Sequence, residues 1–201
     1  MKRVLWDVDT QVDFVHADGK LAVPSAEEAV PAMARLVAWA RAEGIPHVAS
    51  ADDHELTDPE LSETPDYRMT YPPHCLRGTR GAEKIPETAQ ADPVPLALTE
   101  VPERWLRGRE FLLLKKHFDV FTNPNTERLL SLLDPEEVVL FGVATDVCDD
   151  AAVRGLLERG RRVTFVEEAS RGLDDARTSA CVAAWRGAGA RIAGVDEVVG
   201  G

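Results

Sequence analysis

Glu137-Val138-Val139-Leu140-Phe141-Gly142 is the stretch that indicates the fold most directly, because its four central residues are all apolar and do not alternate with polar ones. Such a strand is typical of a parallel sheet whose two faces are both covered by helices. Comparable runs occur at 4–9, 46–51, 111–115 and 162–166, with a weaker one at 191–193. We therefore predict a three-layer, doubly wound α/β fold with a mostly parallel sheet of about six strands.

Helical spacing of apolar residues fills the gaps between these strands. Ser25-Ala26-Glu27-Glu28 fits a capping box and predicts the start of the first helix, which Gly44 ends. Further helices are predicted over 125–133, 149–159 and 176–187. The order of strands and helices is that of alternating β and α units.

The chain of 201 residues is predicted to form one domain over residues 1–201. The region at about 52–110 has weak periodicity and many prolines, and it is too long for an ordinary connection in a compact domain. We therefore interpret it as an elaborated metal and substrate loop region.

Charge and hydropathy exclude several classes of partner. Lys+Arg 23 against Asp+Glu 35 gives a formal net charge of −12, which disfavours binding of nucleic acid through phosphates. No apolar stretch approaches the roughly 20 residues that cross a bilayer, and the start of the chain lacks a signal-peptide core. The three cysteines cannot form a complete disulfide framework. We expect a cytoplasmic protein with reduced thiols, a small-molecule partner and no membrane contact.

Reactive side chains follow the predicted strands. Asp9 follows the first strand, Asp52 and His54 the second, Lys115 the 111–115 strand, and Cys148 begins a helix after 137–142. In doubly wound sheets, ligands bind outside the carboxyl ends of the strands. The sequence therefore predicts that a carboxylate, metal ligands, an ammonium and a thiol meet at one edge.

Cys148 has two interpretations. A thiol at a helix N-terminus is favoured as the nucleophilic thiolate, and a nearby Lys115 would act in the same direction. Buried cysteines are also common packing residues, and the negative charges of Asp149 and Asp150 oppose a thiolate. The strand–helix turn favours the nucleophile. Cys75 and Cys181 are interpreted as packing residues.

Asp52, His54 and His74 form a candidate metal site. One carboxylate and two imidazoles leave coordination positions open on Zn²⁺, Fe²⁺ or Mn²⁺, as substrate binding or water activation requires. The same ligand set describes non-haem Fe(II) oxygenases, and a short polar loop of this composition can also be an ordinary solvated turn. These alternatives remain open at this point.

Several motifs together resemble those of the isochorismatase-like cysteine hydrolases, and within that family the nicotinamidases. Asp9-Thr10-Gln11-Val12-Asp13-Phe14 resembles the family's D-x-Q-N-D-F opening, and Asp52-Asp53-His54 its D-W-H metal motif. Residues 71–83 resemble W-P-P-H-C-x-x-G-T-x-G-A-E, and residues 142–148 resemble the G-V-x-T-[DE]-x-C nucleophile turn. Lys115 matches the family lysine, although Lys116 is adjacent. The resemblance spans most of the chain and implies an isochorismatase-like, Rossmann-like fold.

The resemblance implies a metal-containing thiol amidohydrolase that converts nicotinamide and water to nicotinate and ammonia, a step of NAD salvage and pyridine nucleotide metabolism. Asp9 would accept the proton of Cys148, Lys115 would hold both charges, and the backbone N–H groups of Ala144 and Cys148 would form the oxyanion hole. A thioester on Cys148 would then be hydrolysed. The family's Val143–Ala144 peptide is typically cis.

The resemblance also implies a substrate pocket, a metal and an assembly state. Phe14 and Tyr71 would form an aromatic wall, and Ala144 would contact the substrate. Asp52, His54 and His74 would bind one divalent ion, for which we expect Zn²⁺, with Fe²⁺ and Mn²⁺ as alternatives. A homodimer or a higher homo-oligomer is expected.

Departures from the motifs leave other substrates open. Val12 and Asp53 replace the family's usual asparagine and tryptophan, and Tyr71 replaces an indole. Another small amide or a carbamoyl compound is therefore the alternative substrate. A non-haem Fe(II) oxygenase, or a protein that only binds ligands, would leave Asp9, Lys115 and Cys148 without a shared purpose.

Overall fold

A seven-stranded sheet forms the centre of the protein, whose computed structural model describes residues 1–200. The strands are β1 (Arg3–Val8), β2 (His47–Asp52), β3 (Val94–Leu96), β4 (Glu110–Lys115), β5 (Glu137–Gly142), β6 (Arg162–Val166) and β7 (Arg191–Ala193). Their spatial order is β3-β4-β2-β1-β5-β6-β7, and every pairing between neighbours is parallel. The prediction of a doubly wound parallel sheet is confirmed.

The predicted number of strands, about six, is one too low. The additional strand is β3, which lies inside the region interpreted as loop and pairs with β4 from Val94 to Leu96. Its middle residue, Pro95, argues against a strand in sequence analysis. A proline is tolerated here because β3 is the edge strand, where one amide can be absent from the ladder.

Helices cover both faces of the sheet. They are α1 (Val12–Val15), α2 (Ala26–Ala42), α3 (Pro124–Leu133), α4 (Cys148–Glu158), α5 (Asp175–Gly187) and α6 (Val195–Val199). Buried side chains of α2 and α6 pack on one face with Leu5 and Phe141. Those of α3, α4 and α5 pack on the other face with Trp6 and Leu140. Among residues 1–200, no helix is long and apolar enough to cross a membrane.

Short polar side chains set where two of the helices begin. The Asn123 side chain accepts a hydrogen bond from Asn125 N at the start of α3, and Asp174 accepts one from Arg177 N at the start of α5. The capping box predicted at Ser25 is wrong. Ser25 has a φ of 56° and its side chain makes no cap bond, because a capping side chain needs extended backbone that this tight turn does not have.

The sheet topology determines where a ligand can bind. From β1 the chain passes to β2 on one side, and it later returns to β5 on the other side. The order of strands therefore reverses between β1 and β5, and a crevice forms beyond their carboxyl ends. Asp9 follows β1 at this position, and the turn that leads to Cys148 follows β5.

Candidate active site

Lys115 is the centre of a buried group of charged side chains at this crevice. It is the last residue of β4, paired in register with Asp52 of β2, and its side chain is fully buried. Lys115 Nζ lies 2.8 Å from Asp9 Oδ2, 2.5 Å from Asp52 Oδ1 and 3.8 Å from Cys148 Sγ. Burial lowers the pKa of this ammonium, but Asp52 and Asp9 outweigh that effect and raise the pKa well above its usual value. The lysine is therefore a permanent cation.

Contacts to both carboxylate oxygens fix the orientation of Asp9. Oδ1 accepts a 2.7 Å hydrogen bond from the Ser50 hydroxyl, whereas Oδ2 lies 2.8 Å from Lys115 Nζ in the ion pair. Burial raises the pKa of the Asp9 carboxyl, Lys115 opposes that rise and Asp52 adds to it, so that the pKa is raised overall. A carboxylate with a raised pKa and a free lone pair is suited to accept a proton.

Cys148 is the first residue of α4, and its surroundings correct one expectation from the sequence. Burial raises the pKa of the Cys148 thiol well above its usual value, and Lys115 only partly opposes this. The helix N-terminus and Lys115 therefore do not suffice to make a resting thiolate. The sulfur therefore has to lose its proton to a nearby base. Asp9 is close by, because Asp9 and Cys148 both contact Lys115.

Two backbone amides beside the sulfur have no acceptor. The Val143–Ala144 peptide is cis. Neither Ala144 N nor Cys148 N donates to any acceptor among residues 1–200. The N-cap residue of α4 is Val147, which has no side-chain acceptor, so that Cys148 N, the first amide of the helix, stays free. These two N–H groups are available to a negatively charged oxygen.

A second group of side chains adjoins Lys115 and has the composition of a metal site. Asp52, His54, Glu60 and His74 are all buried, and their candidate ligand atoms lie within 4.8 Å of one another. His54 Nε2 has no hydrogen-bond partner, which fits an atom that coordinates an ion. One oxygen of Asp52 faces Lys115, and the other lies 3.3 Å from His74 Nε2.

The Nδ1 atoms of His54 and His74 already have hydrogen-bond partners. His54 Nδ1 lies 3.2 Å from Asp58 Oδ2, and His74 Nδ1 lies 2.7 Å from the carbonyl oxygen of Pro72. Metal-binding histidines typically donate their second N–H in this way, which fixes the tautomer and the ring orientation. The donor set therefore fits a divalent ion, and the predicted Asp52, His54 and His74 converge.

Sequence analysis missed Glu60. It lies six residues after His54 on an irregular loop, where no periodicity relates the two positions. Glu60 Oε2 accepts a hydrogen bond from Phe118 N at 2.8 Å, which connects this loop to the segment after β4. Ser50 was missed for a similar reason, because a hydroxyl inside an apolar strand gives no signal of its partner.

Of the two adjacent lysines, Lys115 contacts Asp9 and Cys148, and Lys116 does not. Lys116 points away from Asp9 and Cys148, and its Nζ lies 2.8 Å from Asp58 Oδ2. Cys75 is buried, with Sγ 3.7 Å from the carbonyl oxygen of Gly81, and Cys181 is half-buried on α5. Neither of these cysteines contacts Lys115.

A small cavity lies beside Cys148. It is lined by Ala144, Val147 and Cys148, the metal-type side chains Asp52, Glu60 and His74, and the apolar residues Phe14, Leu21, Val23, Tyr71, Phe118 and Leu173. Phe14 and Tyr71 both pack near the His74 ring, with centroid separations of 5.1 and 6.4 Å. The free space is about 20 Å³, so the cavity suits a small apolar group.

Comparison with known proteins agrees with this geometry. The sequence profile of the isochorismatase domain matches residues 4–197. The chain belongs to the isochorismatase family. A nicotinamidase/pyrazinamidase of Mycobacterium tuberculosis (strain ATCC 25618 / H37Rv) is 31% identical over 167 residues, which cover 78% of this chain and 82% of that protein.

Two solved structures share the isochorismatase fold of this chain. An N-carbamoylsarcosine amidase from Thermoplasma acidophilum has a TM-score of 0.76 and 25% identity, with 98% of each chain covered. A pyrazinamidase of Pyrococcus horikoshii in complex with zinc has a TM-score of 0.75 and 21% identity, with 96% of this chain and 99% of that chain covered.

In this isochorismatase-family chain, two buried polar side chains connect β1 to the metal-type group. Gln11 donates to the carbonyl oxygens of Asp52 and Ala82, each at 2.8 Å, and accepts from Asp52 N at 2.7 Å. Asp13 Oδ2 accepts from Cys75 N at 2.7 Å, next to His74. Gly81 is required here, because a Cβ at this position would overlap the Asp13 carboxylate.

Proposed function

We propose that the protein is a metal-dependent thiol amidohydrolase that releases ammonia from nicotinamide or a similar small amide. The observation that carries this proposal is the position of Lys115, in contact with Asp9 and Cys148 and at the same time with the Asp52 group. The similarity to a nicotinamidase/pyrazinamidase supports the substrate class. Nicotinate formed in this way would enter NAD salvage in the cytoplasm.

The reaction would begin with a proton transfer. Asp9 Oδ2 takes the proton of Cys148, and Lys115 stabilises the charges of both groups as the thiolate attacks the amide carbonyl carbon. The N–H groups of Ala144 and Cys148 bind the oxyanion that forms. Asp9 then gives its proton to the leaving nitrogen, so that ammonia departs and a thioester remains on Cys148. Water hydrolyses the thioester and regenerates the thiol.

Asp52, His54, Glu60 and His74 would hold the divalent ion. It would supply a Lewis-acid contact for a ring nitrogen of the substrate and so orient the amide toward Cys148. We propose Zn²⁺, because the pyrazinamidase of similar fold is a zinc complex, with Fe²⁺ and Mn²⁺ as alternatives. Phe14 and Tyr71 would pack against the substrate ring, and Ala144 would border its carbonyl.

A second candidate substrate is another small amide or a carbamoyl compound. The similarity to an N-carbamoylsarcosine amidase supports it. The catalytic steps would be the same, since a carbamoyl group presents the same carbonyl and the same leaving ammonia.

The test is ammonia release by the purified protein from nicotinamide, pyrazinamide, aliphatic amides and carbamoyl compounds. Cys148→Ala should abolish release, whereas Cys181→Ala, a cysteine distant from Lys115, should retain it. Full turnover by Cys148→Ala would rule out the thiol mechanism. Chelation should weaken nicotinamide binding, and unchanged binding after verified metal removal would contradict the proposed ring contact.

A further inference from the structure

A groove outside the catalytic cavity is rich in arginine. It encloses about 380 Å³ and is lined by Tyr67, Arg68, Tyr71, Phe118, Asp146, Val147, Asp150, Ala151, Arg154 and Arg177. Three of these residues, Tyr71, Phe118 and Val147, also line the cavity beside Cys148. The groove and the cavity therefore adjoin each other along these three side chains.

One arginine of the groove has no carboxylate partner. Arg177 lies 3.0 Å from Asp146 and 4.0 Å from Asp174, and Arg154 lies 2.7 Å from Asp150. Arg68 is exposed and has no ion pair among residues 1–200. Its guanidinium is therefore available to a ligand at the mouth of the site.

Two of the guanidinium groups are held in place before any ligand arrives. Arg177 Nη1 donates to the carbonyl oxygen of Tyr67 at 3.2 Å, while Nη2 pairs with Asp146. Arg154 uses Nε for Asp150, and its Nη atoms donate no hydrogen bond within the described part of the chain. Free donors on a fixed guanidinium lose little conformational entropy when they bind a carboxylate.

Tyr71 lies between the catalytic cavity and the groove, because its side chain lines both. Burial raises the pKa of its phenol, and Arg177 opposes that rise. The aromatic rings of Tyr67 and Tyr71, 6.4 Å apart, offer an apolar surface between the two ends.

We propose that the groove binds a carboxylate of the substrate, so that the preferred substrates are small amides or carbamoyl compounds with an anionic group away from the scissile C–N bond. This inference rests on the proposed amidase function and narrows its substrate class. Arginine binds carboxylates through paired N–H donors, and such charge-assisted bonds are strong. A neutral amide such as nicotinamide leaves these donors unused.

The test uses pairs of substrates that differ only in charge at the far end. Succinamate and butyramide are one pair, and N-carbamoylglycine and N-propylurea are another. The anionic member should have a kcat/KM at least about tenfold higher, the effect of one charge-assisted hydrogen bond. Arg68→Gln should lower this preference by about tenfold, and Arg68→Gln with Arg154→Gln should bring it close to one.

Arg186→Gln is the matched control, because Arg186 is exposed on α5 and lies nine residues beyond Arg177 along the same helix. It changes the net charge equally but should leave the preference unaltered. Equal kcat/KM values within both pairs, or equal losses in Arg68→Gln and Arg186→Gln, would overturn the proposal.

A binding measurement separates this proposal from the amidase function. Calorimetry with succinate on Cys148→Ala should show binding that Arg68→Gln weakens by about tenfold. Absence of succinate binding in a protein that hydrolyses nicotinamide would refute the groove alone. Succinate binding that depends on Arg68, without ammonia release from any amide by the wild type, would refute the amidase function alone.

Discussion

Lys115 Nζ lies 2.5 Å from Asp52 Oδ1, so the cation that contacts the candidate catalytic groups also contacts a candidate metal ligand. The two halves of the site therefore share one buried ion pair. A change at Lys115 alters the charge balance of Asp9 and Asp52 together, and the consequences for activity and metal binding cannot be separated at this residue.

Replacement of Lys115 by methionine should abolish activity and weaken metal retention. Without the ammonium, two buried carboxylates face each other, which we expect to cost about 3 to 5 kcal/mol of stability and at least about a hundredfold in kcat/KM. Ammonia release, metal content and thermal unfolding measure the three effects. Lys116→Met is the comparison, because Lys116 pairs only with Asp58, and its loss of activity should be far smaller. The reverse order would show that Lys116 is the catalytic lysine.

Ser50→Ala should change the pH dependence of the reaction. The Ser50 hydroxyl donates to Asp9 Oδ1 and so favours the ionised carboxylate. Its removal raises the pKa of Asp9 further, and the acid limb of kcat/KM should move to higher pH, with a loss of about tenfold near its midpoint. Ser50→Thr keeps the hydroxyl and should retain the original profile. A pH profile in Ser50→Ala that superimposes on the wild type would contradict this role.

Glu60→Ala should lower metal affinity. Glu60 belongs to the buried group with Asp52, His54 and His74, and loss of a ligand or of a supporting carboxylate typically costs about tenfold to a hundredfold in affinity. Metal content after dialysis against a graded chelator gives the measurement. Glu63→Ala, an exposed glutamate on the same loop, is the matched control. Equal retention in both variants would remove Glu60 from the site.

Asp149→Asn should stabilise the protein at neutral pH. Asp149 is fully buried beside Cys148, and burial followed by the charge of Asp9 raises its pKa well above the usual value, which a hydrogen bond from Thr145 only partly opposes. The folded state therefore keeps a proton that the unfolded state releases above a pKa of about 3.9. Wild-type stability should fall with rising pH by at most about 1.4 kcal/mol per unit, until the folded pKa is reached.

Thermal unfolding at two pH values tests this prediction. The asparagine variant should be more stable than the wild type near pH 7, and its advantage should shrink as the pH falls below about 3.9, where both states of the wild type carry the proton. A stability difference that is the same at both pH values would show that Asp149 is not the titrating group.

The doubly wound parallel sheet and the approach of the reactive residues could be predicted from local patterns. Apolar runs mark buried strands, and a parallel sheet brings their carboxyl ends together, so that Asp9, Asp52, Lys115 and Cys148 had to meet. The same reasoning gave Asp52 and His54, whereas His74 came from the resemblance of residues 71–83 to the family motif.

The remaining features depend on contacts between distant segments. Glu60 lies on an irregular loop whose position is set by Phe118 N, and β3 becomes a strand only because β4 is beside it. The pKa of Cys148 is decided by burial, which the helix start alone did not reveal. These contacts and this burial cannot be predicted from the local sequence.

Pro95 at the centre of β3 has a consequence for self-association. Exposed sheet edges can recruit a strand from another copy, and proline is one of the devices that prevents this. Pro95 offers no N–H to a strand that approaches from outside the sheet. We therefore expect any homodimer of the protein to form through helices, loops or the β7 margin.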